Sequence, residues 1–310
     1  MTGLELSRAY YKEACKPILQ ARLGKEYDRL AVGLVGNGSE CYGFDDALSQ
    51  DHDFGPRFFI WLTDSDADTI GADVCAALEA VPMRFGGYEC FRGGEYAGAG
   101  RQGVFRIGRY YQMMLGINHV PETIDEWRTL GEVNLSIATN GEVFEDGLGE
   151  FSAFRATLKQ GFPEDLRRKK LAAACSFAAQ TGQYNYSRCL RRGERVAARL
   201  CEAQFMESAM RIVYLLNHSY RPFYKWIHRG LLDLPLLGTE IHCLMKKLLG
   251  AEGEEEHIQW IEKISFLIIE ELRRQNLSES SSDFLLDHGI QIQKHIQDPT
   301  LHAMAHFAEP

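Results

Sequence analysis

The spacing of apolar side chains divides the chain into a mixed first half and an all-helical second half. Ala9, Tyr10, Ala14, Ile18, Leu19 and Leu23 recur at helical intervals, predicting a helix over residues 5–23 that Pro17 would kink and Gly24 would stop. The run Leu30-Ala31-Val32-Gly33-Leu34-Val35 reads as a strand that empties into the turn Gly36-Asn37-Gly38-Ser39 and then a short helix over 40–48. Residues 51–63 read as one strand, with Pro56 near its middle marking an edge position or a bulge. Asp64-Ser65-Asp66 offers caps for a helix that runs to Leu78 and ends before Pro82.

A glycine-rich loop over 86–103 follows, from which Arg92 and Arg101 would reach phosphates; it lacks Gly-Lys-Ser/Thr and so is no P-loop. Val104-Phe105-Arg106-Ile107 reads as a third strand, 110–117 as helical, and Pro121 starts a helix through Trp127. Asn140-Gly141 signals a small hairpin over 139–144 that closes the first domain. Beyond residue 150 strand signals vanish, and helical patterns cover 164–181, 191–217, 222–232, 236–249 and 254–274. Ser278-Glu279-Ser280-Ser281-Ser282 reads as a polar linker before a last helix over 283–305. The expected class is α+β: a mixed sheet with flanking helices over 1–149, then an all-α helical bundle over 150–310.

Composition narrows the function. A content of 45% hydrophobic and 25% charged residues is that of an ordinary globular protein. No apolar run reaches the roughly 20 residues that span a bilayer, and the first residues lack a signal-peptide pattern, so a cytoplasmic protein with no membrane partner is expected. The eight cysteines never form Cys-x-x-Cys and sit in apolar segments, as reduced core cysteines do. A net charge of −9 argues against a protein that coats nucleic acid or follows a nucleic-acid template. Residues 151–199 nonetheless carry eleven lysines and arginines against three acids. Such asymmetry is expected to form one basic wall, either a solvated helix surface or a binding surface for a small polyanion such as a triphosphate.

The chemical centre is the glycine turn followed by Asp51-His52-Asp53. Residues i and i+2 of a strand share a face, so Asp51 and Asp53 would present two carboxylates side by side, a perch for divalent cations. His52 would face the opposite side. The N–H groups after Gly36-Asn37-Gly38-Ser39 would meet an anion above the turn.

Gly38-Ser39 with Asp51-His52-Asp53 resembles the signature of the DNA polymerase beta-like nucleotidyltransferase superfamily, which includes the aminoglycoside and lincosamide nucleotidyltransferases. The whole chain is also similar to an uncharacterised bacterial family, a domain of unknown function with such a head and a helical tail. That likeness rests on the stretch from Gly36 to Asp46, Asp51-His52-Asp53-Phe54-Gly55-Pro56, Asn140-Gly141-Glu142-Val143-Phe144, Gln183-Tyr184-Asn185-Tyr186-Ser187-Arg188 and Pro222-Phe223-Tyr224-Lys225-Trp226. The superfamily resemblance implies transfer of a nucleoside monophosphate from a nucleoside triphosphate to an acceptor hydroxyl on a small molecule or a protein, with release of pyrophosphate. Asp51 and Asp53 would hold two Mg²⁺ ions, Ser39 and the backbone of Gly38 would hold the β- and γ-phosphates, and Gly36 would be a further nucleotide-binding residue. Tyr184 would stack on the base, Arg188 and Lys225 would contact phosphates, and the cleft between head and tail would hold the nucleotide.

One element of the superfamily pattern is missing. The strand expected to supply a third carboxylate, Val104-Phe105-Arg106-Ile107, has no acid. Glu89, Glu95 and Glu142 are the substitutes, and Glu142 is favoured because the Asn-Gly turn would project it into the cleft. Without a third acid, the alternative is a nucleotide-binding sensor or pseudoenzyme.

Overall fold

The computed structural model describes residues 1–50, 54–90 and 103–310. The chain is a mixed α+β protein with one small mixed sheet and many helices. Its contacts divide it into two compact units, Met1–Glu122 with Leu130–Gln160, and Thr123–Thr129 with Gly161–Pro310. The contacts therefore keep residues 150–160 with the first unit and give a short excursion of the head, Thr123–Thr129, to the second.

The first unit opens with α1 (Gly3–Ala9), whose start is a reciprocal capping box between Thr2 and Glu5. A π-helical turn, Tyr10–Cys15, joins it to α2 (Lys16–Leu23). Within that turn Lys16 N–H reaches back to the Tyr11 carbonyl, one residue farther than α spacing, immediately before Pro17, which has no N–H to give. The expected irregularity at Pro17 thus takes the form of a widened turn on its N-terminal side. Gly24 stops the helix at φ +57.

Strands β1 (Ala31–Leu34) and β2 (Phe59–Leu62) follow, then α3 (Asp64–Thr69), α4 (Gly71–Glu79), β3 (Arg84–Phe85), β4 (Tyr88–Glu89), β5 (Val104–Arg106) and α5 (Ile107–Leu115). After α6 (Ile124–Thr129) come α7 (Glu132–Thr139), β6 (Glu142–Asp146) and α8 (Glu150–Leu158). The main sheet has the order β5-β2-β1-β6, with β1 antiparallel to both neighbours and β2 parallel to β5. One face packs Val32, Ile60 and Leu62 against Tyr11, Leu19, Val74 and Leu78. On the other, Trp61 stacks on Phe151 of α8 at 3.9 Å and meets Tyr110 of α5 edge-on. Burial of both faces explains why β1 reads as a continuous apolar run rather than an alternating one.

Several expectations need correction. The second strand begins at Phe59, not at residue 51, and residues 54–58 are not strand; Pro56 cannot donate to a ladder. The helix expected over 40–48 is a pair of single 3₁₀ turns, Ser39–Tyr42 and Ala47–Gln50. Asn140-Gly141 is not the tip of a hairpin: it links α7 to β6, which pairs with β1 more than a hundred residues away. Helix α7 itself leaves little trace in the sequence, because no side chain caps its start at Gly131.

The second unit contains α6 with α9 (Glu164–Ala178), a π-helical turn over Ala179–Tyr186, α10 (Ser187–Arg191), α11 (Arg195–Leu216), α12 (Tyr224–Ile227), α13 (Gly238–Leu249), α14 (Glu254–Arg274), α15 (Leu285–Lys294) and α16 (Pro299–Ala303). Helix α9 is its axis and packs on α11, α15 and α16. Its basic residues do not form a wall. Arg167, Lys169 and Lys170 are buried, and Lys169 donates to the carbonyls of Ala305 and His306 at 2.9 and 3.2 Å, pinning the end of the chain. The serine-rich stretch is likewise no loose linker, since the wholly buried His288 is held between Ser278 Oγ at 2.9 Å and the Ser282 carbonyl at 2.8 Å. All eight cysteines are free thiols. Among the described residues, no helix is long and apolar enough to cross a membrane.

Candidate functional site

Strand directions bring the sequence features of the first unit to one edge of its sheet. Gly33 near the end of β1 stands opposite Phe59 at the start of β2, and Leu34 stands opposite Glu142 at the start of β6. The turn from Gly36 to Ser39, the entry to β2 and the head of β6 therefore share that edge. Asp51 and Asp53, the expected cation perch, lie outside the described residues, as do His52, Arg92, Glu95 and Arg101. The described chain resumes at Phe54, whose ring meets Tyr88 of β4 edge-on at 5.2 Å.

The glycine turn is held from below by the Asn140-Gly141 corner. The Asn140 carboxamide accepts from Gly36 N–H at 3.0 Å and donates to the Gly36 carbonyl at 2.7 Å, so both ends of one residue are clamped. Gly36 has φ +149, a conformation open to glycine. Gly141 N–H donates to the Cys41 carbonyl at 2.7 Å, and Tyr110 Oη donates to the Val35 carbonyl at 2.9 Å. Gly141 cannot be larger: it has φ +63, and an added Cβ would run into the Leu34 carbonyl oxygen. Beneath the corner the buried Arg155 donates to the carbonyls of Ala138 and Gly141, and desolvation lowers its guanidinium pKa from the ordinary value. Ser39 opens a single 3₁₀ turn, with its Oγ 3.4 Å from Ser49 Oγ. An anion here would meet the N–H groups of one turn rather than the dipole of a helix.

Among the described residues, carboxylates along β6 and beside the turn are already engaged. Arg8 of α1 forks onto both oxygens of Glu142. Three residues along β6, Glu145 accepts from Tyr11 and Tyr27 hydroxyls and from Lys16; burial works to raise its pKa, these donors outweigh it, and the net shift is downward. Glu40, next to Ser39, pairs with Arg57, and neither had been given a role from the sequence. Glu89 lies in the small β3–β4 hairpin, 3.5 Å from Arg84.

In the second unit, Tyr184 and Arg188 do not occupy a break between helices. They sit in and just after the π-helical turn that carries α9 into α10, and the Arg188 guanidinium lies over the Tyr184 ring at 4.7 Å. Lys225 is exposed at the start of α12, with its ammonium 5.1 Å from the Trp226 ring centroid.

Residues 127–227 match the family model described as a domain of unknown function (DUF4037). The match takes in Glu142, Tyr184, Arg188 and Lys225 and leaves out the glycine turn and Asp51-His52-Asp53. No curated protein and no solved structure matches the chain.

Proposed function

We propose that the chain is a Mg²⁺-dependent nucleotidyltransferase that moves a nucleoside monophosphate from a nucleoside triphosphate to a hydroxyl of a small-molecule or protein acceptor, releasing pyrophosphate. The observation that carries this reading is the convergence of the clamped Gly36–Ser39 turn, the entry to β2 at Phe59, and the head of β6 at one sheet edge. Asp51 and Asp53 would hold the metal, since hard carboxylate oxygens suit Mg²⁺, which keeps part of its water shell. Bound there, Mg²⁺ would offset the negative charge that builds on the phosphoryl oxygens and the leaving pyrophosphate. The backbone of Gly38 and the Ser39 hydroxyl would orient the β- and γ-phosphates. Tyr184, Arg188 and Lys225 are proposed as nucleotide contacts on the strength of an aromatic face and two cations.

One observation favours a second reading, a nucleotide-binding sensor or pseudoenzyme. Glu142, the proposed third carboxylate, is held on both its oxygens by the Arg8 fork, so it would have to part from Arg8 before meeting an incoming hydroxyl.

Calorimetry with each nucleoside triphosphate, with and without Mg²⁺, tests the site. The wild-type chain is expected to show Mg²⁺-dependent binding that the double change Asp51→Asn/Asp53→Asn abolishes; survival of binding in the double variant would sink the metal assignment. Pyrophosphate release with a panel of hydroxyl acceptors separates transferase from sensor.

A further inference from the structure

The ion pair between Glu40 and Arg57 is the feature at this edge that the proposed chemistry leaves unused. Glu40 is the second residue of the Ser39–Tyr42 turn, and Arg57 stands two residues before β2. Their side chains are only 15% and 20% exposed. The backbone of Arg57 is fixed as well, its N–H donating to Ser7 Oγ at 3.2 Å. Glu40 does not point away from the turn: both its carboxylate oxygens lie against Gly38, in the space that a Cβ would fill. A planar guanidinium forks onto carboxylate and phosphate alike, and a glycine in such a turn allows an anion to approach the backbone closely. A carboxylate lying on Gly38 and paired to Arg57 thus occupies the position and makes the contact that a phosphate of a bound polyphosphate would.

We infer that Arg57 is a phosphate-binding residue and that Glu40 is its resident counter-anion, displaced when a polyphosphate arrives. This rests on the nucleotide reading of the Gly36–Ser39 turn. Displacement rotates the Glu40 side chain while its backbone stays in the 3₁₀ turn. It makes the site self-screened: an incoming phosphate gains Arg57 only by breaking an intramolecular pair, which holds down affinity for weakly charged anions and favours a chain of phosphates.

The test is calorimetric titration of the full chain with inorganic tripolyphosphate, without Mg²⁺ and at fixed low salt. Glu40→Gln removes this competing charge and is expected to tighten binding by about tenfold, the scale of one charge-assisted hydrogen bond. Arg57→Gln is expected to weaken binding by a similar factor, and Glu40→Gln/Arg57→Gln to show no gain over Arg57→Gln alone. Arg57→Lys keeps the charge without the fork and covers the case in which Arg57→Gln fails to fold, as read by circular dichroism; it is expected to fall between wild type and Arg57→Gln. The inference is overturned if Glu40→Gln binds no tighter than wild type, or if its gain persists in the double variant, which would mark a general charge effect. If Mg²⁺-nucleotide binding still depends on Asp51 and Asp53 in that case, the nucleotidyltransferase reading stands without this one. If tripolyphosphate behaves as expected while nucleotide binding ignores those aspartates, the phosphate site stands and the metal assignment fails.

Discussion

The Asn140 carboxamide grips one residue at both its N–H and its carbonyl, and that residue is Gly36. Replacing it with alanine removes a donor and an acceptor from a half-buried peptide, so Asn140→Ala is expected to lower the unfolding free energy by about 1–3 kcal/mol, measured by urea denaturation. Asn140→Asp keeps the acceptor but turns an anion toward the Gly36 carbonyl, and should lose at least as much. The dipeptide Asn140-Gly141 was legible in the sequence as a place where the chain changes direction. Its partner was not, because Gly36 lies more than a hundred positions earlier and nothing local encodes that distance. The same limit hid Arg8 as the partner of Glu142 and Arg57 as the partner of Glu40. Residue types announce what they are able to bind; the fold chooses which of them meet.

Helix type was easier to read than helix continuity. Glu254–Arg274 appears as its periodicity predicts, and β1 and β5 lie where their apolar runs put them. The failures cluster where backbone hydrogen bonding departs from the regular pattern. Gly182 and Asn185 look like the end of a helix, but the chain passes through them as a π-helical turn into α10. Gly182 is needed there for contact: a Cβ would enter the ring of Phe205, which is wholly buried in α11. Gly182→Ala is therefore expected to cost roughly 1–3 kcal/mol of stability through overpacking, although alanine is the better helix former. An unchanged urea midpoint would mean that the two helices separate more readily than this contact implies. The strand expected over 51–63 departs for a related reason: among the described residues of that stretch, pairing has not yet begun at Pro56, and the aromatic run from Phe59 joins the sheet.

For the protein as a whole, buried titratable groups of the helical unit give stability a direction with pH. Burial lowers the pKa of His288 from the ordinary 6.5, and desolvation acts in the same direction on the half-buried His242. The unfolded chain takes up these protons near pH 6.5 while the folded one resists, so stability is held above that value and should fall as pH drops from about 6.5 toward 5. Lys169 acts in the same direction at the alkaline end. Burial brings its pKa from 10.5 to about 8, so between those values the unfolded chain is protonated and the folded one is not. The contribution of Lys169 to the unfolding free energy should accordingly rise with pH from about 8 to 10.5, against buried thiols such as Cys175, whose pKa burial raises from 9 to about 12 and whose contribution falls once the unfolded thiol ionises. Urea midpoints across this range check both, the lysine contribution being the difference between wild type and Lys169→Met, which is expected to grow in favour of the wild type from about pH 8 to 10.5. The balance of 34 basic against 43 acidic residues gave no hint of this, because it cannot tell a solvated lysine from one buried against the end of the chain.

The sheet order also has a consequence for how the chain is made. Strand β1 leaves the ribosome early, and β2 follows soon after, but the other edge of β1 waits for Glu142–Asp146. At roughly 5–20 residues per second that interval lasts on the order of 5 to 20 seconds. Throughout it, a strand apolar on both faces shows a row of unpaired N–H and C=O groups to any neighbouring nascent chain. The segment that ends this exposure is the one that begins with Glu142, so a slow stretch of translation just before it would lengthen the period in which the protein is most open to aggregation.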